Sequence, residues 1–247
     1  MQFKTILKKF DLKGYCEIEN FISKNELTSL KKFVYLKLKK NNGKTFFLSS
    51  KSNNEVSKFF NNNKTLKKKI QSFLYKLSEK SNIKDYKKRD IYTVLRVIKN
   101  ERIQKESYQF HFDAHLFTIL VPIFIPKTKN SNNGHLFISP NLRKINNSII
   151  INIFQKIFYQ ILLKKLLGYK KLIKTLNFKK IILKPGSIFL FNGFRNLHGN
   201  ADIAKDDLRA TLLIHFYDVF EKSQLVKLNR QLRIWIENKR IKKNIND

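Results

Sequence analysis

Cysteine, glycine and proline are scarce in this sequence. Of 247 residues, one is cysteine, seven are glycine and four are proline. The single cysteine, Cys16, excludes an intramolecular disulfide and a cysteine-based zinc site, and we expect it to be a small core residue in a reducing compartment. The N-terminal region has no apolar segment long enough for a secretory signal, so we expect a cytoplasmic protein.

Long uninterrupted apolar runs are also missing. The most apolar long segment covers residues 149–167. It is interrupted by Asn152, Gln155, Lys156, Gln160, Lys164 and Lys165. It therefore falls short of the ~20 apolar residues that a membrane-spanning helix needs, and we expect no transmembrane segment.

Acidic residues are few. The chain has 51 lysines and arginines against 18 aspartates and glutamates, which gives a formal net charge of +33. Such a charge favours nucleic acid, an anionic membrane or an anionic substrate as partner. However, abundant Lys, Asn, Ile and Phe, with alanine only at 114, 201, 204 and 210, is also what A/T-rich codons produce. Both explanations of the charge stay open.

The N-terminal third predicts helices that support a sheet. A short strand is indicated near residues 14–21, and Ser23 followed by Glu26 forms a capping box that begins a helix over residues 25–40. The polar segment 44–63 is interpreted as a loop with phenylalanine anchors. A second helix is predicted over residues 64–81, and we expect both helices to pack on the outside of the sheet.

After Asp90 the pattern changes to short apolar runs with a period of two, which is typical of strands. Pro122 indicates that one of these strands lies at an edge or a bend. The predicted strands are 91–98, 108–113, 116–125, 136–138, 187–191 and 209–216.

The segment 145–168 is helical by periodicity. Its apolar stripe consists of Ile150, Ile153, Phe154, Ile157, Phe158, Ile161, Leu162 and Leu166. We expect this stripe to face the core, with a dimer interface or a membrane-surface face as the alternative.

No linker or internal repeat divides the chain, so we predict one domain over residues 1–247. Within it we expect helical support over about residues 1–89 and a barrel over about residues 90–220, with the helical insertion at 145–168. A basic helix is expected at the C-terminal end, over residues 221–247. The fold class is mainly β with helical support (α+β), a double-stranded β-helix of the jelly-roll, cupin-like type.

Two histidines and one carboxylate provide the predicted chemistry. In an extended strand, His111 and Asp113 point to the same face, and His198 follows a later strand. Two His and one carboxylate form a facial triad, which holds Fe(II) on one side and leaves the other side open for an organic acid and O2. Arg209, at the start of the last strand, would receive the far carboxylate of that acid.

Four blocks resemble the phytanoyl-CoA dioxygenase-like branch of the Fe(II)/2-oxoglutarate oxygenases, and together they span most of the chain. The first is FDLKGY at 10–15 with IENFIS at 18–23, and the second is the His111-x-Asp113 pair. The third is NGHLFISP at 133–140, although Asn141 replaces the Gly-Ser-His that follows in the family. The last runs from Gly186 through His198 to Arg209.

The resemblance implies a set of cofactors and binding residues. Fe(II) would be held by His111, Asp113 and His198, while 2-oxoglutarate and O2 would be cosubstrates. Arg209 with Thr211 is similar to the family's Arg-x-Ser pair for the distal carboxylate, and Asn200 either approaches the cosubstrate or serves a turn.

The resemblance also implies the reaction. The presence of Asp113 favours hydroxylation, or a related desaturation or ring closure, over halogenation. The expected substrate is a small metabolite, with an anionic one suited to the basic surface, and the expected products include succinate and CO2.

The remaining candidates have weaker roles. His115 continues the alternation of His111 and Asp113, and we expect it to line the pocket and contact substrate rather than bind metal. His135 and His215 are interpreted as satisfied core residues. Tyr92 and Arg96 serve packing and surface charge, with a contact to the cosubstrate as the alternative.

Two other functions involve nucleic acid, and we disfavour both. A demethylase of the AlkB-like branch would have a second arginine soon after the first, whereas Arg209 is followed by ATLLIH. A basic binding module without metal would not need the intact triad and arginine. The oligomeric state stays open.

Overall fold

A computed structural model describes residues 2–51, 54–99, 107–127, 133–145, 148–204, 207–221 and 223. The helices in these ranges are α1 (Phe3–Lys13), α2 (Lys24–Lys40), α3 (Asn54–Asn62), α4 (Lys64–Lys80), α5 (Ile149–Ile157) and α6 (Leu163–Thr175). The strands are β1 (Tyr15–Ile18), β2 (Phe46–Ser49), β3 (Tyr92–Lys99), β4 (His115–Phe124), β5 (Leu136–Ser139), β6 (Lys179–Ile181), β7 (Ile188–Asn192), β8 (Leu197–Asn200) and β9 (Leu208–Asp218).

The strands form two antiparallel sheets. The larger sheet has the order β1-β7-β4-β9-β3-β2, and the smaller one has the order β6-β5-β8. This combination of a large antiparallel sheet with helices confirms the predicted α+β class.

The N-terminal helices cover one face of the larger sheet. The capping box at the start of α2 is formed as predicted: the Glu26 N–H donates to Ser23 Oγ at 3.3 Å, and the Ser23 N–H donates to Glu26 Oε2 at 2.7 Å. The apolar sides of α2 and α4 are buried in one cluster with the outward residues of β3, β4 and β9. This cluster includes Leu30, Val34, Leu66, Ile70, Leu74, Leu77, Leu95, Val97, Ile119, Leu212 and Ile214.

The other face of the larger sheet meets the smaller sheet. Leu120, Phe189 and Phe191 from the larger sheet form a second core with Leu136 and Ile138 of β5. Side chains alternate along a strand, so the outward Leu212 and Ile214 of β9 leave Arg209, Thr211, Leu213 and His215 between the two sheets.

Two loop and strand predictions are wrong. Segment 44–63, expected to be a loop, contains β2 and α3. Segment 108–113, expected to be a strand, forms only an isolated bridge between His111 and His198. Tyr108 has a φ of 53°, which interrupts an extended run there.

Of the two positions predicted for the proline strand, an edge or a bend, the structure shows the bend, because β4 lies inside the larger sheet. The pairing of β4 with β7 ends at Leu120, and the register with β9 shifts between Pro122 and Phe124. Pro122 therefore lies at a bulge, where its missing N–H is tolerated.

The insertion is helical, but its apolar stripe does not face the core. A π-helical turn, Phe158–Leu162, joins α5 to α6. Ile150 is 80% exposed, Phe154 67% and Leu166 81%, because the opposite side of the segment packs on the protein. No helix in the described ranges is long and apolar enough to cross a membrane. The predicted C-terminal helix lies outside the described residues, apart from Glu221 and Ser223.

Candidate metal and cosubstrate site

Backbone pairing brings the two histidines of the predicted triad face to face. The His111 N–H donates to the His198 carbonyl at 2.9 Å, and the His198 N–H donates to the His111 carbonyl at 3.0 Å. Asp113 is fixed beside them by its own N–H, which donates to the Gly193 carbonyl at 2.9 Å. One ligand atom of each of His111, Asp113 and His198 lies within 4.8 Å of the others, so one metal ion could contact all three.

Hydrogen bonds to backbone carbonyls orient both imidazoles. His111 Nδ1 lies 2.8 Å from the Gln109 carbonyl, and His198 Nδ1 lies 3.0 Å from the Asn196 carbonyl. A carbonyl only accepts, so each Nδ1 carries a proton, which leaves Nε2 as the ring nitrogen available to a metal. Each Nε2 faces Asp113 Oδ1, at 3.7 Å from His111 and 3.6 Å from His198. This is the tautomer that a metal ligand requires.

The second oxygen of Asp113 is occupied by protein groups. Thr118 Oγ1 donates to Asp113 Oδ2 at 2.6 Å, and His215 Nδ1 lies 3.5 Å from that oxygen and 3.1 Å from Thr118 Oγ1. Only Oδ1 therefore points to the histidine pair.

Charge and burial set the ionisation of the triad. Burial alone would raise the pKa of Asp113, but the His198, His215 and His111 rings and the Thr118 hydroxyl outweigh it and hold this pKa far below the usual value. The pKa of His111 is lowered to about 4, first by desolvation and second by His198. Its side chain is still 42% accessible, so this desolvation comes from dense surroundings rather than complete enclosure. At neutral pH the cluster is one carboxylate beside a neutral His111, which suits a divalent cation.

Gly193 leaves the space that the Asp113 carboxylate occupies. A Cβ at this position would lie 2.4 Å from Asp113 Oδ2 and 2.5 Å from Thr118 Oγ1. Any larger residue would therefore displace the group that holds the aspartate.

Arg209 and the residues around it, Thr211, Gly134 and Asn200, are called the Arg209 pocket, and this group has hydrogen-bonding atoms that are not used. The Arg209 side chain is 1% exposed; its Nε donates to the Gly134 carbonyl at 2.9 Å and its Nη2 to Asn200 Oδ1 at 2.7 Å. Arg209 Nη1 and Thr211 Oγ1 are both buried and have no hydrogen-bond partner among the described residues. A buried cation and hydroxyl of this kind fit a carboxylate ligand.

The environment of Arg209 is adapted to its burial. Burial and the Arg96 charge lower the pKa of Arg209 to about 9, so it remains a cation at neutral pH. A Cβ on Gly134 would lie 2.3 Å from Arg209 Cδ, which explains a glycine with a φ of 63° at this position.

The other predicted residues lie around the metal cluster and the Arg209 pocket. Asn200 is buried, and its Oδ1 accepts a hydrogen bond from Arg209 Nη2. The His115 ring stacks against both Tyr92 and His215, with its centroid 5.9 Å from the first ring and 5.0 Å from the second. Half-buried Arg96 lies opposite Thr211 in the β3–β9 register, with its guanidinium 5.4 Å from the Phe47 ring centroid.

Two histidine interpretations need correction. His215 is buried as expected, but it contacts the aspartate of the cluster. His135 is buried, yet its Nδ1 has no partner among the described residues, so it is not a satisfied core residue. Its pKa is lowered by burial and by the charges of Lys180 and Arg209.

Sequence reasoning missed three residues of this region: Thr118, His215 as a contact of Asp113, and Arg143. Arg143 is 2% exposed, its guanidinium donates to the Phe194 carbonyl and to Asn152 Oδ1, and it lies between the Phe112 and Phe194 rings. Arg209, Thr211 and His215 are separated by even numbers of residues along β9, so their side chains share one face of the sheet. This spacing could have indicated that His215 lies near the candidate site.

Comparison of the structure with known proteins gives the fold. A prolyl 4-hydroxylase from Phytophthora capsici aligns with a TM-score of 0.54 at 12% identity, over 90% of this chain and 64% of that one. The non-heme alpha ketoglutarate dependent carbocyclase SnoK from nogalamycin biosynthesis aligns with a TM-score of 0.53 at 11% identity, over 87% of this chain and 84% of that one. At these identities the alignments show a shared fold.

A further solved structure shares this fold. EvdO2 from Micromonospora carbonacea var. aurantiaca aligns with a TM-score of 0.57 at 13% identity, over 88% of this chain and 92% of that one. The predicted jelly roll is thereby confirmed. No protein-family model and no curated protein matches the sequence.

Proposed function

We propose that the chain is an Fe(II)- and 2-oxoglutarate-dependent dioxygenase of the phytanoyl-CoA dioxygenase-like branch. The observation that carries the proposal is the combination of two features in one fold. One is a His–Asp–His cluster whose free ligand atoms converge, and the other is a buried arginine whose Nη1 lacks a partner among the described residues. The two are linked through β8, which carries both His198 and the Asn200 that holds Arg209.

Each group has a defined role in this proposal. His111, Asp113 and His198 would hold Fe(II), and Arg209 with Thr211 would bind the distal carboxylate of 2-oxoglutarate. Thr118 and His215 would keep the second oxygen of Asp113 away from the metal. When bound, iron and 2-oxoglutarate supply the activation of O2, and the chain supplies orientation and exclusion of water.

The substrate we propose is a small anionic metabolite, and the reaction is hydroxylation with release of succinate and CO2. Arg96 supports the anionic character. It lies close enough to Arg209 for its charge to lower the pKa of Arg209, so a second cation is near the position proposed for the cosubstrate. The carboxylate of Asp113 supports hydroxylation, since it takes the position that a halide would need.

The proposal is tested by following labelled 2-oxoglutarate by NMR. We expect wild-type protein with Fe(II) and O2 to form succinate, slowly without substrate and faster with the right anionic metabolite. His198→Ala should form none, while Lys184→Gln, which changes an exposed residue, should behave as wild type. Succinate formation that is equal in His198→Ala, or absent in folded, iron-loaded wild type, would contradict the proposal.

A further inference from the structure

The α5–α6 segment presents a wide apolar surface to solvent. We call the outward side of residues 150–166 the exposed face. It consists of Ile150, Ile151, Ile153, Phe154, Ile157, Phe158, Ile161, Leu162 and Leu166, each at least 38% exposed. Isolated exposed apolar residues are ordinary, but nine large ones on a single helical segment mark a surface that binds something.

The exposure is not the result of a detached helix. The inward side of the same segment packs Tyr159, Leu163 and Leu167 against Phe110 and Phe112, which alternate with His111 and Asp113. Asn152 of α5 also accepts from the buried Arg143. One side of the segment is thus fixed to the protein, and the apolar opposite side is left without cover among the described residues.

The charge around the exposed face has one sign. No acidic residue occurs between Asp113 and Asp202. Exposed lysines lie on the segment or next to it in the sequence: Lys144, Lys165, Lys170, Lys171, Lys174, Lys179 and Lys180. A second copy of this chain would bring like charges together, whereas an anionic surface would be attracted.

We propose that the exposed face attaches the protein to the surface of membranes rich in anionic lipid. A helix with bulky apolar residues on one side and lysines around them lies in the plane of the interface, with its apolar side chains among the acyl chains and its lysines at the phosphates. The segment does not need to span the bilayer. Because its inward side contacts the residues flanking His111 and Asp113, attachment would hold the candidate metal site about one helix diameter, roughly 10 Å, from the lipid.

The test is co-sedimentation of the full chain with lipid vesicles, without iron or 2-oxoglutarate. Wild type should bind vesicles containing one quarter phosphatidylglycerol at least about tenfold more tightly than pure phosphatidylcholine, and added salt should weaken the binding. Phe154→Ser with Ile157→Ser should lower the affinity at least about tenfold. A control pair, Leu12→Ser with Leu36→Ser, removes exposed apolar residues from α1 and α2 and should leave binding unchanged.

The outcomes separate the possible occupants of the exposed face. Equal binding by wild type and the Phe154/Ile157 double variant would overturn the proposal, because the net charge alone would then explain attachment. A wild-type dimer in analytical ultracentrifugation, lost in the double variant and without vesicle binding, would assign the face to a second copy and also overturn it. Unchanged circular dichroism of the double variant would show that folding is intact. None of these readings depends on the metal site, so the proposed function stands or falls separately.

Discussion

The region around Arg143 and the region around Arg209 each bury an arginine, but they use it differently. Arg143 has a partner for every nitrogen: the Phe194 carbonyl, Asn152 Oδ1 and, at 3.4 Å, the Asp113 carbonyl. Arg209 has partners for two nitrogens, and Nη1 has none among the described residues. Burial is nearly the same, so it does not separate a structural arginine from a ligand-binding one. The two arginines differ instead in whether every guanidinium nitrogen has a hydrogen-bond partner among the described residues.

The largest effect should follow from removing the structural arginine. Arg143→Met leaves the Phe194 carbonyl and Asn152 Oδ1 buried without a donor and removes contacts with two aromatic rings, so the free energy of unfolding should fall by about 3–5 kcal/mol. Arg209→Met should lower it by no more than about 1–2 kcal/mol, because the loss of two hydrogen bonds is offset by removal of a desolvated charge. Urea denaturation of metal-free protein measures both values, and equal losses would remove the distinction between the two regions.

The opposite ranking should hold for cosubstrate binding. Arg209→Met removes a charge-assisted pair of hydrogen bonds, so the affinity for 2-oxoglutarate should fall about 100-fold or more. Calorimetric titration of the Mn(II)-loaded protein measures this change. Arg195→Gln is the matched control, because Arg195 is half-buried and its Nε donates only to the Arg143 carbonyl. A control that loses affinity as strongly as Arg209→Met would contradict the assignment.

Thr211→Val should have a smaller effect in the same pocket. The substitution keeps the shape of the side chain and removes a single hydroxyl that has no partner in the described part of the chain. The affinity for 2-oxoglutarate should therefore fall about tenfold, or about 1.4 kcal/mol. Stability should not decrease, since no existing hydrogen bond is lost. Unchanged affinity in the same calorimetric titration would mean that the hydroxyl does not face the ligand.

The smallest effect concerns pH. Burial first, then Lys180 and Arg209, lower the pKa of His135, so below the unfolded value of about 6.5 the unfolded chain takes up a proton that the folded chain does not. The free energy of unfolding should therefore fall as pH drops from 7 to 5, by at most about 1.4 kcal/mol per pH unit from this residue. His135→Gln should flatten that slope in metal-free protein. A slope identical to wild type would exclude this contribution.

Local pattern was sufficient for much of the fold and for the three residues of the His–Asp–His cluster, whose ligand atoms the structure brings together. The capping box at Ser23 and the period-two runs of β3, β4 and β9 depend on neighbours in sequence, and the structure contains them. The spacing of the Asp113, His198 and Arg209 blocks could be matched to a family without knowing any contact.

What could not be predicted depends on contacts between distant segments. Arg143 is structural only because Phe112, Asn152 and Phe194 surround it, and Thr118 reaches His215 only because β4 pairs with β9. The same limit explains why the apolar stripe of the helical insertion does not face the core as expected. Periodicity identifies which residues share a side of a helix. It does not say whether the protein covers that side.

The central claim is that the His–Asp–His cluster and the Arg209 pocket form one Fe(II) and 2-oxoglutarate site. The most direct measurement is an anaerobic titration with Fe(II) and 2-oxoglutarate, followed by the weak visible charge-transfer band of the ternary complex. The account predicts a band in wild type, none in His198→Ala, and in Arg209→Met a band only at far higher 2-oxoglutarate concentration. Absence of the band in folded wild-type protein, or a band unaffected by both substitutions, would contradict it.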